Sequence, residues 1–299
     1  MGAESGLAVI RRVVTIVGLV LVAALAVLGR HLLHGTQAQP RLRGTLAFSA
    51  PGFANVLTVR AGSVRVRRVT VRRGPEFDPS FSPDGRRIAY RDSRRGINRD
   101  DDIWVVDADG RHAHPLTRNS ANDWSPAWSR DGRTIAFAST RSGPLRLWLM
   151  DADGSRPRRL SESPGEYPSW SPDGARLAFS MLGAGAVQIA VIGRDGRGER
   201  PITPITTNSE LPAWSPNGSR IAFCRGFEGS RSIWSMRPDG TGARRLTRSG
   251  SDDVGPVWSP DGRLIAFARR GHLMVVQPDG TGLRDLGVEG ALPDWTRAG

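Results

Sequence analysis

The chain contains no lysine: all 42 of its basic residues are arginine. That uniformity points to coding bias in a GC-rich genome, and it removes the lysine a Walker phosphate loop requires. Cysteine is reduced to Cys224, so no intramolecular disulfide can form and no Cys-x-x-Cys pair exists. Cys224 reads as a small packed residue, because a reactive thiol needs an electropositive, accessible setting. Histidine is scarce: His31, His34, His112, His114 and His272. Only His112-x-His114 has ligand-like spacing. It reads as a solvated strand face, since a metal site needs more ligands than one pair supplies. No Gly-x-Ser-x-Gly nucleophile elbow is present. The sequence therefore predicts no catalytic, cofactor-binding or metal residues of a standard kind.

Long apolar runs are equally rare. The one that stands out is residues 13–28, behind Arg11 and Arg12. It is long for a signal-peptide core and short for a spanning helix. Thr36-Gln37-Ala38 offers a small-residue cleavage site. The reading is export, with residues 1–35 as a signal peptide or single transmembrane anchor and the uncleaved anchor preferred. Residues 36–43 are a linker. The expected location is extracytoplasmic, either membrane-anchored or secreted and periplasmic.

What the chain has in abundance is turn residues, 36 glycines and 21 prolines, and a repeat that uses them. Five copies of one phrase begin at Pro79 (PSFSPDGRRIAY), Pro126 (PAWSRDGRTIAF), Pro168 (PSWSPDGARLAF), Pro212 (PAWSPNGSRIAF) and Pro256 (PVWSPDGRLIAF). A sixth fragment, Leu292 to Arg297, breaks off where the turn should begin. The turn glycines Gly85, Gly132, Gly174, Gly218 and Gly262 recur every 42 to 47 residues. A second glycine follows each copy, at Gly110, Gly154, Gly196, Gly240 and Gly280. Each unit reads as strand A, tight turn, strand B, loop, strand C, turn, strand D. Antiparallel four-stranded units at this period, stacked round an axis, predict an all-β propeller. Thr45–Ser49, Val56–Val59 and Val66–Val71 supply strands B, C and D of a first blade that lacks strand A. The orphan fragment supplies that strand, which closes six blades over residues 44–299.

These motifs resemble the TolB-like propeller family, whose WD40-like or PD40 repeats carry the P-x-W-S-P-D-G…I-A-F pattern. The resemblance runs from Gly44 to Arg297. It implies a non-catalytic interaction scaffold of the cell envelope, binding a partner protein or peptide. TolB itself carries an additional N-terminal α/β domain, for which the linker leaves no room. The alternative is an extracytoplasmic ligand-sensing or carbohydrate-binding ectodomain. A propeller-type lyase or hydrolase ranks below both, because no base or metal cluster is evident. A monomeric ring is expected.

The formal net charge of +13 invites a nucleic-acid reading. Many arginines fall instead in the predicted outer strands, where charge blocks edge-to-edge aggregation. Nucleic acid is therefore not an expected partner. Acidic residues are fewer but placed with a pattern. Glu76, Asp78, Asp123, Glu166, Glu210, Asp253 and Glu289 lie just upstream of the strand-A prolines. The D-to-A connections of a propeller converge on one channel mouth, so these residues predict an acidic ring there. Two readings stay open: capped turns and structural pairs, or a socket for a divalent cation such as calcium or for a partner's basic segment. The Asp-x-Asp-Gly segments at Asp107–Gly110 and Asp151–Gly154 read as turns. They lack the acidic ligand that completes a calcium loop.

Overall fold

The computed structural model describes Pro40 and residues 42–296, apart from positions 54, 72, 73, 95, 97, 98, 184, 249 and 251. Residues 1–40 and 41–299 form separate units. The apolar run 13–28 and its cleavage-type triplet lie outside the described residues.

Alternating apolar strands and Pro/Gly turns build six four-stranded antiparallel sheets among the described residues. Blade 1 contains β1 (Thr45–Ser49), β2 (Val56–Arg60) and β3 (Val66–Arg68). Blade 2 contains β4 (Glu76–Phe81), β5 (Arg87–Asp92), β6 (Asp102–Asp107) and β7 (His114–Pro115). Blade 3 follows with β8 (Asp123–Trp128), β9 (Thr134–Ser139), β10 (Arg146–Asp151) and β11 (Arg158–Arg159). Blade 4 has β12 (Gly165–Trp170), β13 (Arg176–Leu182), β14 (Val187–Gly193) and β15 (Arg200–Pro201). Blade 5 has β16 (Ser209–Trp214), β17 (Ile221–Arg225), β18 (Ser232–Met236) and β19 (Arg244–Arg245). Blade 6 has β20 (Asp253–Trp258), β21 (Ile265–Arg269), β22 (His272–Val276) and β23 (Arg284–Glu289). The last strand, β24 (Ala291–Thr296), pairs with β1 and completes blade 1. The predicted closure is therefore present, with Leu46 opposite Trp295 and Thr45 opposite Thr296.

The core is six interfaces between neighbouring blades. The strand-A aromatics Phe81, Trp128, Trp170, Trp214, Trp258 and Trp295 are all buried. Each shares a cluster with the small strand-B residue of the preceding blade: Ala47 with Phe81, Ala89 with Trp128, Ala136 with Trp170. Ala178 with Trp214, Ala222 with Trp258 and Ala266 with Trp295 complete the ring. Strand alternation puts the aromatic of strand B on one face and alanine on the other. The alanine face is what lets the next sheet come close enough to be filled by one indole.

The turns are equally specific. In the Ser-x-Asp-Gly turns, Asp84, Asp131, Asp173 and Asp261 accept a bond from the backbone two residues on and from the serine hydroxyl. The second glycine has a separate reason. Gly154 has φ of 87°, and a Cβ there would meet the Leu116 carbonyl oxygen of blade 2 at 2.5 Å. Blade-to-blade approach at the outer turn thus requires glycine.

The outer strands carry the arginines and are exposed. Three of those arginines also bind the next blade. Arg67 donates to the Asp109 carbonyl, Arg158 to that of Arg194 and Arg244 to that of Pro278. Edge charge here protects and cross-links at once.

Candidate functional site: the central channel

The six inner strands line a central channel with a cavity of about 330 Å³. Each inner strand is interrupted by a register shift near its proline. The residue before that proline is left-handed in every blade: Asp78 (φ 51°), Ser125 (49°), Tyr167 (52°), Leu211 (55°), Gly255 (62°) and Leu292 (48°). A residue before proline is steered away from the right-handed helical region. The left-handed alternative costs a non-glycine residue roughly 1–2 kcal/mol. The inserted residue lines the channel in all six blades. The result is a two-sided wall. Asp78, Ser125 and Tyr167 make one half polar, whereas Leu211, Gly255 and Leu292 leave the other apolar.

The bulge also separates the acidic residues that the sequence groups together. Glu76, Asp123 and Asp253 are fully buried rather than on the mouth. Glu76 accepts the Val56 amide at 3.3 Å and the Thr70 hydroxyl, both from blade 1. Asp123 accepts Arg141 at 2.8 Å and Asn119 at 2.9 Å. Asp253 takes a two-pronged bond from Arg269, 2.6 and 2.9 Å. Glu289 ends the outer strand β23, opposite His272, and is exposed. The structure brings together the remaining three, Asp78, Glu166 and Glu210, which interact electrostatically.

Their surroundings differ. Arg231 donates to Glu210 at 3.1 Å and to Asp252 at 2.8 and 3.0 Å, so Glu210 is compensated. Arg91 is held by Asp101 at 2.9 Å and stacks on Phe77 and Trp124, 4.7 and 4.8 Å from the ring centres. Trp124 donates its own indole N–H to Asp101 at 2.9 Å. Asp78 accepts a 3.3 Å bond from the Ser125 hydroxyl and another from the Ser125 backbone, and Arg91 acts on it at longer range. Glu166 has no ion pair among the described residues. Burial, reinforced by Asp78 and Glu210 and opposed by Arg91, pushes its carboxyl up to about 7. Burial also raises Asp78 and Tyr167, the latter well above a normal phenol. In each case burial is the largest cause, and the groups around the carboxyl or phenol do not offset the loss of water.

Among the described residues, no three His, Cys, Asp or Glu side chains converge to hold a metal ion. The calcium expectation thus finds no cage at the channel. His112 Nδ1 lies 2.6 Å from Asp107, whereas His114 contacts the His112 carbonyl, both on the exposed surface. Asp109 and Asp153 bond their own turn backbones. Cys224 is fully buried, and burial pushes its thiol far above the reactive range.

The TolB beta propeller domain model matches residues 47–204 and, in a second overlapping match, residues 165–286. The chain belongs to the TolB beta propeller family. Among solved structures it is similar to TolB from Acinetobacter baumannii, with a TM-score of 0.72 at 20% identity over 86% of this chain and 67% of that one. Putative TolB from Agrobacterium tumefaciens gives 0.68 at 20% identity, over 83% and 89%. An oligogalacturonate lyase from Vibrio parahaemolyticus gives 0.55 at 14% identity, over 77% and 70%. At these identities the likeness is one of fold.

Within this TolB-type ring, Tyr167, Arg91, Asp101 and Trp124 are site residues that sequence reasoning missed. The position directly before each proline was the available signal for Tyr167. Nothing local announces Arg91, whose partner Asp101 lies across a loop. The raised Glu166 carboxyl has a measurable consequence. A folded-state value above the unfolded one means the protonated group favours the fold at low pH. That contribution is lost as pH rises from about 4.5 through about 7. Glu166→Gln should therefore match the parent near pH 5 and exceed it near pH 8, by on the order of 2 kcal/mol. Urea unfolding at both values measures the difference, and an equal gap at each would refute the assignment.

Proposed function

We propose that this chain is a non-catalytic interaction module of the cell envelope, engaging a protein or peptide partner at the acidic face of its channel. The observation that carries the reading is the buried carboxyl of Asp78 on the lining of a cavity whose opposite wall is apolar, with Glu166, which feels its charge, next to the lining Tyr167. On a protein of net charge +13 this is a local field of the opposite sign, suited to a basic group on an apolar stem. Membership in the TolB beta propeller family supports the envelope setting. Residues 13–28 fit export or tethering to a membrane, which cell fractionation with N-terminal sequencing tests.

The test is a pulldown from envelope extract with the native protein and with Glu166→Gln combined with Glu210→Gln. Partners that use the acidic face should be depleted from the variant, and their capture should weaken with added salt. An identical partner set for both proteins would sink the proposal.

A further inference from the structure

Away from the channel, blades 3 and 6 each hold a buried aspartate–arginine pair at the start of the inner strand. In blade 6 the first residue of β20, Asp253, faces the last residue of β21, Arg269, and the two form the buried pair described above. In blade 3 the first residue of β8, Asp123, faces Ser139 and pairs instead with Arg141, two residues beyond the end of β9. Blade 4 carries neither charge, because Gly165 faces Met181. Blade 5 breaks the rule on one side only. Arg225 holds the position of Arg269, but Ser209 stands opposite it where blade 6 has Asp253.

Arg225 therefore has a serine at the facing position that an aspartate fills in blade 6. Its guanidinium is stacked over Phe223 and Trp234, 5.1 and 4.5 Å from the ring centres. Arg141 stacks similarly over Phe137 and Trp148, at 4.9 and 5.0 Å. Among the described residues, Arg225 makes one hydrogen bond, a long one of 3.4 Å from Nε to the Ser209 hydroxyl. Partial burial lowers its pKa, with no acidic group offsetting the effect. Stacking fixes the planar fork in place, so the donors of Nη1 and Nη2 are pre-oriented for a planar oxyanion.

Apolar surface lies beside it. Among the described residues, Phe227 and Ile205 are two of six large hydrophobics left exposed, at 72% and 58%. Phe227 follows Arg225 by two positions. Ile205 sits on the loop leading into β16, and the two loops are tied together. The Gly226 amide donates to the Asn208 carbonyl at 3.0 Å, and the Asn208 side chain donates to the Gly226 carbonyl at 3.1 Å.

We propose that this rim of blade 5 is a docking site for a partner-protein segment presenting an acidic residue next to an apolar one. The carboxylate would complete the pair that Ser209 leaves open, and the apolar neighbour would cover Phe227 and Ile205. The site is independent of the channel, and its chemistry is opposite in sign. Glu228, exposed in the same loop, weakens the attraction, so Glu228→Gln should tighten binding.

The probe is the capped peptide Ac-Gly-Asp-Leu-Gly-NH2, with its asparagine counterpart as control, followed by amide NMR spectra of the full chain. The asparagine-free peptide should shift resonances of residues 205–209 and 225–228 saturably at about 10 mM or below, the range of an ion pair plus one apolar contact. The asparagine peptide should not. Ser209→Asp should recreate the blade 6 pair, raise the melting temperature and abolish the shifts. Arg225→Gln, which needs no new buried charge, should abolish them as well. No saturable shift, equal shifts from both peptides, or undiminished binding by folded Ser209→Asp or Arg225→Gln protein would each overturn the proposal.

Discussion

Ending the chain after Gly290 should abolish cooperative folding of the ring. The truncation removes β24, whose pairing with β1 joins the first and last parts of the inner wall. Trp295 leaves the cluster that joins blades 6 and 1, and its indole N–H no longer reaches the Arg43 carbonyl at 2.8 Å. Asp294 no longer accepts the Phe81 amide at 2.6 Å, so blade 2 loses an anchor too. Loss of the tryptophan alone is worth about 3–5 kcal/mol. Exposure of Leu46, Ala47 and Phe48, all fully buried now, adds to it, against a total stability of roughly 5–15 kcal/mol for a typical domain. The freed edge of β1 is also a template for aggregation. Calorimetry should show no sharp transition, or one tens of degrees lower. A truncated protein melting at the parent temperature would remove the closure from the account of stability.

The second large effect is expected at Trp170. It is 6% exposed and packs with Ala136 and Ala138 of blade 3 and with Leu177 and Phe179 of its own blade. Its indole donates to the Ala127 carbonyl at 3.0 Å, linking the two inner strands. Trp170→Ala should cost roughly 3–5 kcal/mol, through the lost contacts and the cavity left behind. The reciprocal change tests the same interface from the other side. Ala136→Leu forces a larger side chain against the indole and should cost about 1–3 kcal/mol by overpacking. Denaturant midpoints at constant slope measure both. A Trp170→Ala loss below about 1 kcal/mol would mean the blades are not held by these indoles.

The frame was legible because a repeat multiplies a weak local signal. Pro-x-aromatic-Ser, turn and Ile/Leu-Ala-aromatic appear five times in register, and each strand they predict is present. The orphan Leu292–Arg297 was legible for the same reason, by subtraction from blade 1. The channel was not. Proximity to the proline groups Glu76, Asp78, Glu166 and their counterparts, but the strand alternates faces with every residue and the bulge resets that alternation. Glu76 therefore ends up buried against blade 1, whereas Asp78, two residues on, lines the bore. The pairing of Arg91 with Asp101 depends on a loop whose path no repeat encodes.

Closure by β24 also sets an order of events during synthesis. β1 is made early, and the strand that covers its inner edge is made last, about 245 residues later. At translation rates of roughly 5–20 residues per second, that edge stays uncovered for about 12–50 s. Blade 1 is thus begun first and finished last, and the nascent chain must keep an apolar strand from mispairing until β24 arrives.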